Sequence, residues 1–285
     1  MAGIQTNRSA IDLPTEVSSE IIQKAQESSA VMKLAQSMRL PGRGLTIPII
    51  ASDPEAEWVD ETGKKPVGTP TFDKKIMQAY KLAVIEPFSD EFKRDMRALY
   101  DACIERLPNI LAKKFDESVF GASAAPGANF DTLAGATAQD ISGNNTYAGL
   151  VAADGDIAAH DGILNGFALS PQAKAILLSA TDGNLRPLFV NNVADGAIPM
   201  ILGARTHMSR GAYVAGSPNV VGFAGDWTKA FYGVVEGVSI TFSDQATLEI
   251  GGQMVNLWQH NMFAVKAEME VGFRADVTVF NKLTA

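Results

Sequence analysis

A chain of 285 residues that is 46% hydrophobic and 20% charged has enough apolar material for one large domain or two smaller ones, which excludes global disorder. A net charge of −8 argues against free, high-affinity nucleic-acid binding, which rests on clustered Lys and Arg. One cysteine, Cys103, excludes an intramolecular disulfide framework and fits a reducing compartment, and no apolar run approaches membrane-spanning length.

The start reads as an extended arm. After Pro14, "TEVSSEIIQKAQESSAVMKLAQSM" puts Val17, Ile21, Ala25, Val31, Met32 and Ala35 on one helical face, and Pro41 and Gly42 close that helix. A hairpin then runs from about Leu45 to Phe88. Its outgoing strand carries Ile47, Ile49 and Ile50; its return carries Ile76 and Ile85, with period-two alternation at Tyr80, Leu82 and Val84. The tip, "EWVDETGKKPVGTPTF", has the prolines, glycines, lysines and acids of a solvated loop, yet it holds Trp58 and Phe72. Aromatics on so polar a projection point to burial under another copy of the chain.

The strongest helix follows. Ser89 is its expected N-cap, with Asp90 and Glu91 at the positive dipole end. Phe92, Met96, Leu99, Cys103, Leu107, Ile110, Leu111, Phe115 and Val119 form one apolar stripe, and Pro108 is expected to kink the rod. The glycine-rich "GASAAPGANFDTLAGATAQDISGNN" reads as a loop and a subdomain boundary. Beyond it, "TYAGLVAADGDIAA" predicts a helix. "NGFALSPQAKAILLSATDGNLRPLF" predicts a strand, a helix capped by Ser170 with Pro171 at its first position, and a turn at Asp182, Gly183 and Asn184. "VVGFAGDWTKAFYGVVEGVSITFSD" predicts two or three strands turning near Gly225 and Asp226, and "LWQHNMFAVKAEMEVGFRADVTVFNKL" predicts long closing strands.

This order, together with Trp58-Val59-x-Glu61, Lys65-Pro66 and Phe72 in the loop, the Gly-Asp-Trp segment and the closing "AEMEVGF", resembles the major capsid proteins of tailed bacteriophages with the Hong Kong 97-like fold. The resemblance covers nearly the whole chain. It implies an α+β fold with an N-terminal arm over 1–40 and an extended loop over 41–88. A peripheral domain with a long spine helix would follow over 89–144, then an axial domain over 145–238, with peripheral strands resuming over 239–285. It also implies subunit contacts through Ile21 and Val31 of the arm and through Trp58, Glu61, Lys65 and Phe72 of the loop. The implied product is an icosahedral shell of pentamers and hexamers around double-stranded DNA, assembled in the bacterial cytoplasm and working with portal and scaffolding or decoration proteins. Because Met1 lies close to the arm, scaffolding is expected from a separate protein or not at all.

The family pattern also implies an inter-chain isopeptide site, with Lys65 as nucleophile, Asn261 as electrophile and Glu268 as base. Such chemistry needs a neutral lysine, hence a dry pocket and a free carboxylate. Lys266 lies two positions before Glu268, on the same face of a strand. It is expected to pair with that glutamate, hold it ionised and wet the pocket, which argues against crosslinking.

Two other readings stand beside the shell. An encapsulin-like nanocompartment would share the fold, and a soluble α/β enzyme would be a compact monomer or dimer. The enzyme reading lacks a motif: there is no phosphate-binding loop or nucleophile elbow, and His160, His207 and His260 do not share metal-ligand spacing. No cofactor, metal or membrane partner is expected.

Overall fold

The computed structural model describes residues 28–42, 44–52, 58–59, 61, 64–65, 67, 71–181, 186–189 and 200–285. The expected turn at Asp182–Asn184, and the arm before Ser28 with Ile21, lie outside the described residues.

The first described helix, α1 (Ala30–Leu34), is capped by Ser29, whose Oγ accepts the Met32 N–H at 3.1 Å. The helical spacing predicts a longer element, but Ala35 is already extended and Gln36–Arg39 forms strand β1. β1 runs parallel to β10 (Ala230–Ser243), with Gln36 opposite Phe231 and Arg39 opposite Val234. Sheet pairing satisfies the backbone polar groups of this segment and overrides the apolar periodicity.

The expected single hairpin is split between two sheets. β2 (Leu45–Ser52) pairs with β3 (Thr71–Met77) as a separate two-stranded ribbon. β4 (Tyr80–Ser89) instead joins β1, β10 and β13 (Met262–Ala275) in a four-stranded sheet, in the order β1-β10-β13-β4. The alternation at Tyr80, Leu82 and Val84 is therefore a core-facing pattern, because those side chains pack on the main core.

Ser89 caps the following helix as expected, accepting the Phe92 N–H at 3.1 Å. The rod, however, breaks at Met96 (φ −127°, ψ 47°), giving α2 (Asp90–Asp95) and α3 (Arg97–Val119). Pro108 lies inside α3, which continues through it as one helix. Leu107, Leu111, Phe115 and Val119 are buried in the main core against the four-stranded sheet, while Met96 and Ile110 are exposed and Cys103 is half-buried. The stripe is thus buried over its C-terminal half.

The second layer is a six-stranded sheet ordered β5-β14-β9-β6-β8-β7: β5 (Thr137–Asp140), β6 (Gly166–Leu169), β7 (Met200–Ile201), β8 (Ala204–Met208), β9 (Val220–Gly225) and β14 (Phe280–Thr284). α4 (Thr146–Ala159) and α5 (Pro171–Ser179), the latter capped by Ser170, supply Leu150, Ala153, Ile157, Ala173 and Leu177 to its own core. Residue 238 falls inside β10, and the glycine-rich stretch contributes β5 to the same sheet as the C-terminal β14.

The two layers are joined by a pair of similar turns. β9 passes to β10 through Asp226-Trp227-Thr228, and β13 passes to β14 through Asp276-Val277-Thr278. In each, the aspartate accepts the N–H and Oγ1–H of the threonine two residues on. The turns lie side by side: Asp226 N–H donates to Val279 O at 3.1 Å and Asp276 N–H donates to Lys229 O at 3.2 Å. Trp227 is 1% exposed, and its Nε1 donates to Gly166 O at 3.0 Å, locking the junction.

Candidate subunit-contact surfaces

The β2–β3 ribbon has a fixed base, and the described residues of its tip are exposed. At the base, Arg274 is buried and donates to three partners: Ile76 O at 2.8 Å, Asp131 Oδ1 at 2.6 Å and Asn129 Oδ1 at 2.9 Å. Lys75 of β3 reaches Ala275 O at 2.8 Å and Asp131 Oδ2 at 3.4 Å. Gly272 permits the close approach, since a Cβ there would meet Gln78 O at 2.5 Å. At the tip, Trp58 is 105% exposed and Val67 is 90% exposed. Glu61, Lys64 and Lys65 are also exposed, and Phe72 is placed in β3 opposite Ile50 by register. Covering a tryptophan removes about 150–250 Å² from water, on the order of 4–6 kcal/mol of gross stabilisation. Trp58 takes none of it from its own chain.

Val31 does not share this exposure. It is 0% exposed within the main core of its own subunit, so the described end of the arm is a fixed part of the protomer and not a free contact. The group that fixes it is Asp116, which the apolar-stripe reading of α3 passed over. Asp116 is fully buried and accepts bonds from Ser29 Oγ (2.5 Å), Ala30 N–H (2.9 Å), Val31 N–H (3.4 Å) and Ser209 Oγ (2.6 Å). Burial pushes its carboxyl above the usual carboxylate range, with the bonds from Ser209, Ser29, Ala30 and Val31 opposing. Each serine hydroxyl also accepts a backbone N–H, from Met32 and Gly211 respectively. One carboxyl thereby ties arm, α3 and the turn after β8 together. The signal was available: Asp116 sits on the helix face shared by Ala112, Phe115 and Val119, where an acid needs a partner.

Of the isopeptide residues, Lys65 makes no hydrogen bond or ion pair with Asn261 or Glu268 within the chain. Asn261 is exposed and left-handed (φ 51°), and its carbonyl accepts the Asp90 N–H at 3.0 Å. Glu268 is mostly buried in β13 and meets Lys266 Nζ at 3.0 Å, the pairing predicted from their spacing.

A second apolar surface was missed. β11 (Thr247–Ile250) and β12 (Gln253–Asn256) form a hairpin through Gly251-Gly252, both at positive φ. Met254 of β12 is 71% exposed, and Trp258, in the short helical turn that follows, is 67% exposed. The Gly-Gly pair between alternating apolar residues was its sequence signal. His160 and His260 each contact a backbone carbonyl at 2.8 Å on the surface, and no cluster of three metal-ligating side chains occurs among the described residues.

A fixed scaffold with aromatic projections that its own chain leaves bare narrows the comparison to assembling proteins. The model of the phage capsid family matches residues 11–278. The chain belongs to the phage capsid family. Among its relatives, this capsid-family chain is 30% identical to the probable major capsid protein gp17 of Mycobacterium phage D29, over 95% of its own length and 89% of that protein's. It is 25% identical to the major capsid protein of Staphylococcus phage 80alpha, over 95% and 84% of the two lengths. Among solved structures, it matches a chain from Microbacterium phage Oxtober96 with a TM-score of 0.75 at 23% identity, covering 99% of this chain and 96% of that one. A chain from Gordonia phage Cozz gives 0.76 at 20% identity, over 90% and 86%. These establish the Hong Kong 97-like capsid fold.

Proposed function

We propose that this chain is the major capsid protein of a tailed phage, and that its copies close into an icosahedral shell of pentamers and hexamers around double-stranded DNA. The observation that carries this reading is Trp58, 105% exposed at the end of a ribbon whose base is pinned by Arg274. A rigid base and an uncovered aromatic suit a contact made by a neighbour. Glu61, Lys65, Val67 and Phe72 would extend that contact, and Met254 with Trp258 would form a second one. Each contact is weak alone and is multiplied by closure of the shell. In this reading the four-stranded sheet with α3 is the peripheral part and the six-stranded sheet is the axial part. Portal and scaffolding or decoration proteins complete the particle, which is assembled in the host cytoplasm.

The family match and the major capsid relatives favour this reading over the nanocompartment and the enzyme. The Lys266–Glu268 ion pair supports a shell held without covalent links, because a carboxylate engaged by its own lysine is less available to take a proton from another.

Negative-stain microscopy of the purified protein tests the proposal. Closed shells or capsomers are expected for the wild type, and capsomers or shells should be depleted in Trp58→Ala while the subunit stays folded. A wild type that remains a monodisperse monomer or dimer would overturn it.

A further inference from the structure

Between the arm and the axial sheet lies a cavity of about 280 Å³. Lys33 of α1 and Arg205 and His207 of β8 are among the residues that line it. Residues two apart on a strand share a face, so Arg205 and His207 necessarily point together. α1 packs beside β8, which brings Lys33 to the same space, and Gln36 and Thr228 add polar groups at its rim. Lys33 and Arg205 both act electrostatically on His207, after burial the chief influences on its ring. None of the three basic side chains has a carboxylate partner among the described residues.

This is unusual in a chain of net charge −8. Acids outnumber bases, yet three basic groups converge where no acid answers them. Thr228, at the rim, bonds to the carboxylate of Asp226. It is occupied by Asn165 Nδ2 (2.7 Å), Thr228 Oγ1 (2.6 Å), Thr228 N–H (3.0 Å) and Ile163 N–H (3.1 Å). It therefore stabilises the turn and does not pair with the cleft. The Lys33 and Arg205 charges repel one another and disfavour the charged form of His207, and an arriving anion relieves that repulsion.

We propose that the Lys33–Arg205–His207 cleft is a phosphate-binding site. A guanidinium offers a planar fork to phosphate oxygens, a lysine adds a point charge, and an imidazole adds a further donor. A carboxylate brings only two oxygens and one charge, a poorer match to three basic groups. The shared chemistry, a phosphate group, has two sources: the backbone of a nucleic acid, or free phosphate. The first rests on the shell reading above; the site itself does not. The Asp116 contacts hold α1 by its first turn, so they also set the position of Lys33.

Titration calorimetry of the full-length protein with inorganic phosphate, and anisotropy with a short labelled DNA duplex, test the assignment. Lys33→Gln/Arg205→Gln is expected to weaken phosphate binding about tenfold or more, while Lys33→Arg/Arg205→Lys retains most of it. Both lysine and arginine are exposed, so circular dichroism should show both variants folded. Parallel loss of duplex binding, with competition by phosphate, assigns the nucleic-acid backbone as the source. Loss of phosphate binding with duplex binding unchanged or absent assigns free phosphate. Wild type that binds no phosphate, or a Gln variant that binds it as tightly as wild type, overturns the site. Microscopy separates the two readings: particles without phosphate binding sink only the cleft, and phosphate binding without particles sinks only the shell.

Discussion

At the scale of single residues, two buried aspartates do different work. Asp226 organises the turn between the layers. Burial raises its pKa, but the bonds from Thr228, Ile163 and Asn165 outweigh burial and hold the carboxyl below its ordinary value. A carboxyl depressed in the folded state contributes stability that is present above the unfolded value of about 3.9 and is lost as pH falls through the folded value. Chemical denaturation of unassembled subunits should therefore show stability falling below about pH 4, and Asp226→Asn should flatten that fall while lowering stability at neutral pH. Asp116 has the opposite sign. Its raised value means that its contribution is full below the unfolded value and is lost as pH rises through the folded one, so at neutral pH its bonds work against a standing burial cost. Removing it still harms the subunit, because Ala30 N–H and two serine hydroxyls lose their acceptor. Asp116→Ala should cost about 3 kcal/mol in urea unfolding, and limited proteolysis should then cut near Ser29 sooner.

At the scale of elements, much was legible and the misses have physical causes. α5 follows from Ser170 and Pro171, because local capping chemistry decides it, whereas α4 has no side-chain N-cap bond and was read as helix despite its glycines. β13 was legible because buried Val265, Ala267, Met269 and Val271 alternate with Lys266, Glu268 and Glu270. β1 was misread as helix: the apolar stripe stops at Ala35 but the helix was carried on to Pro41, and only pairing with β10, far along the chain, makes Gln36–Arg39 a strand. β3 and β4 were read as one returning strand for the same reason, since sheet membership depends on partners that sequence spacing does not show. In the candidate sites, the Lys266–Glu268 pair was readable from period two, and Trp58 from its mismatch with a polar loop. Val31 was misplaced because an apolar helix face does not say whether its cover comes from the same chain or another. The β13 ion pair carries its own expectation. Boiled particles on a denaturing gel should run as single-chain bands, and a ladder that disappears in Lys65→Ala would show that Glu268 acts as a base despite its pairing.

At the scale of the molecule, the two layers share one junction and expose their aromatic groups outside it. Trp227 and the paired Asp-x-Thr turns hold the four-stranded and six-stranded sheets together. Trp58, Val67, Met254 and Trp258 lie away from both cores. A protomer that is well packed at its centre and apolar at its projections suits the proposed completion by its neighbours. The chain's membership of the phage capsid family is in keeping with that proposal. The most direct measurement is the structure of the assembled particle by electron cryomicroscopy. The account predicts Trp58 covered by a neighbouring copy, with its own ribbon still anchored through Arg274. A particle in which Trp58 stays in solvent, or folds back onto the subunit that carries it, would contradict the account.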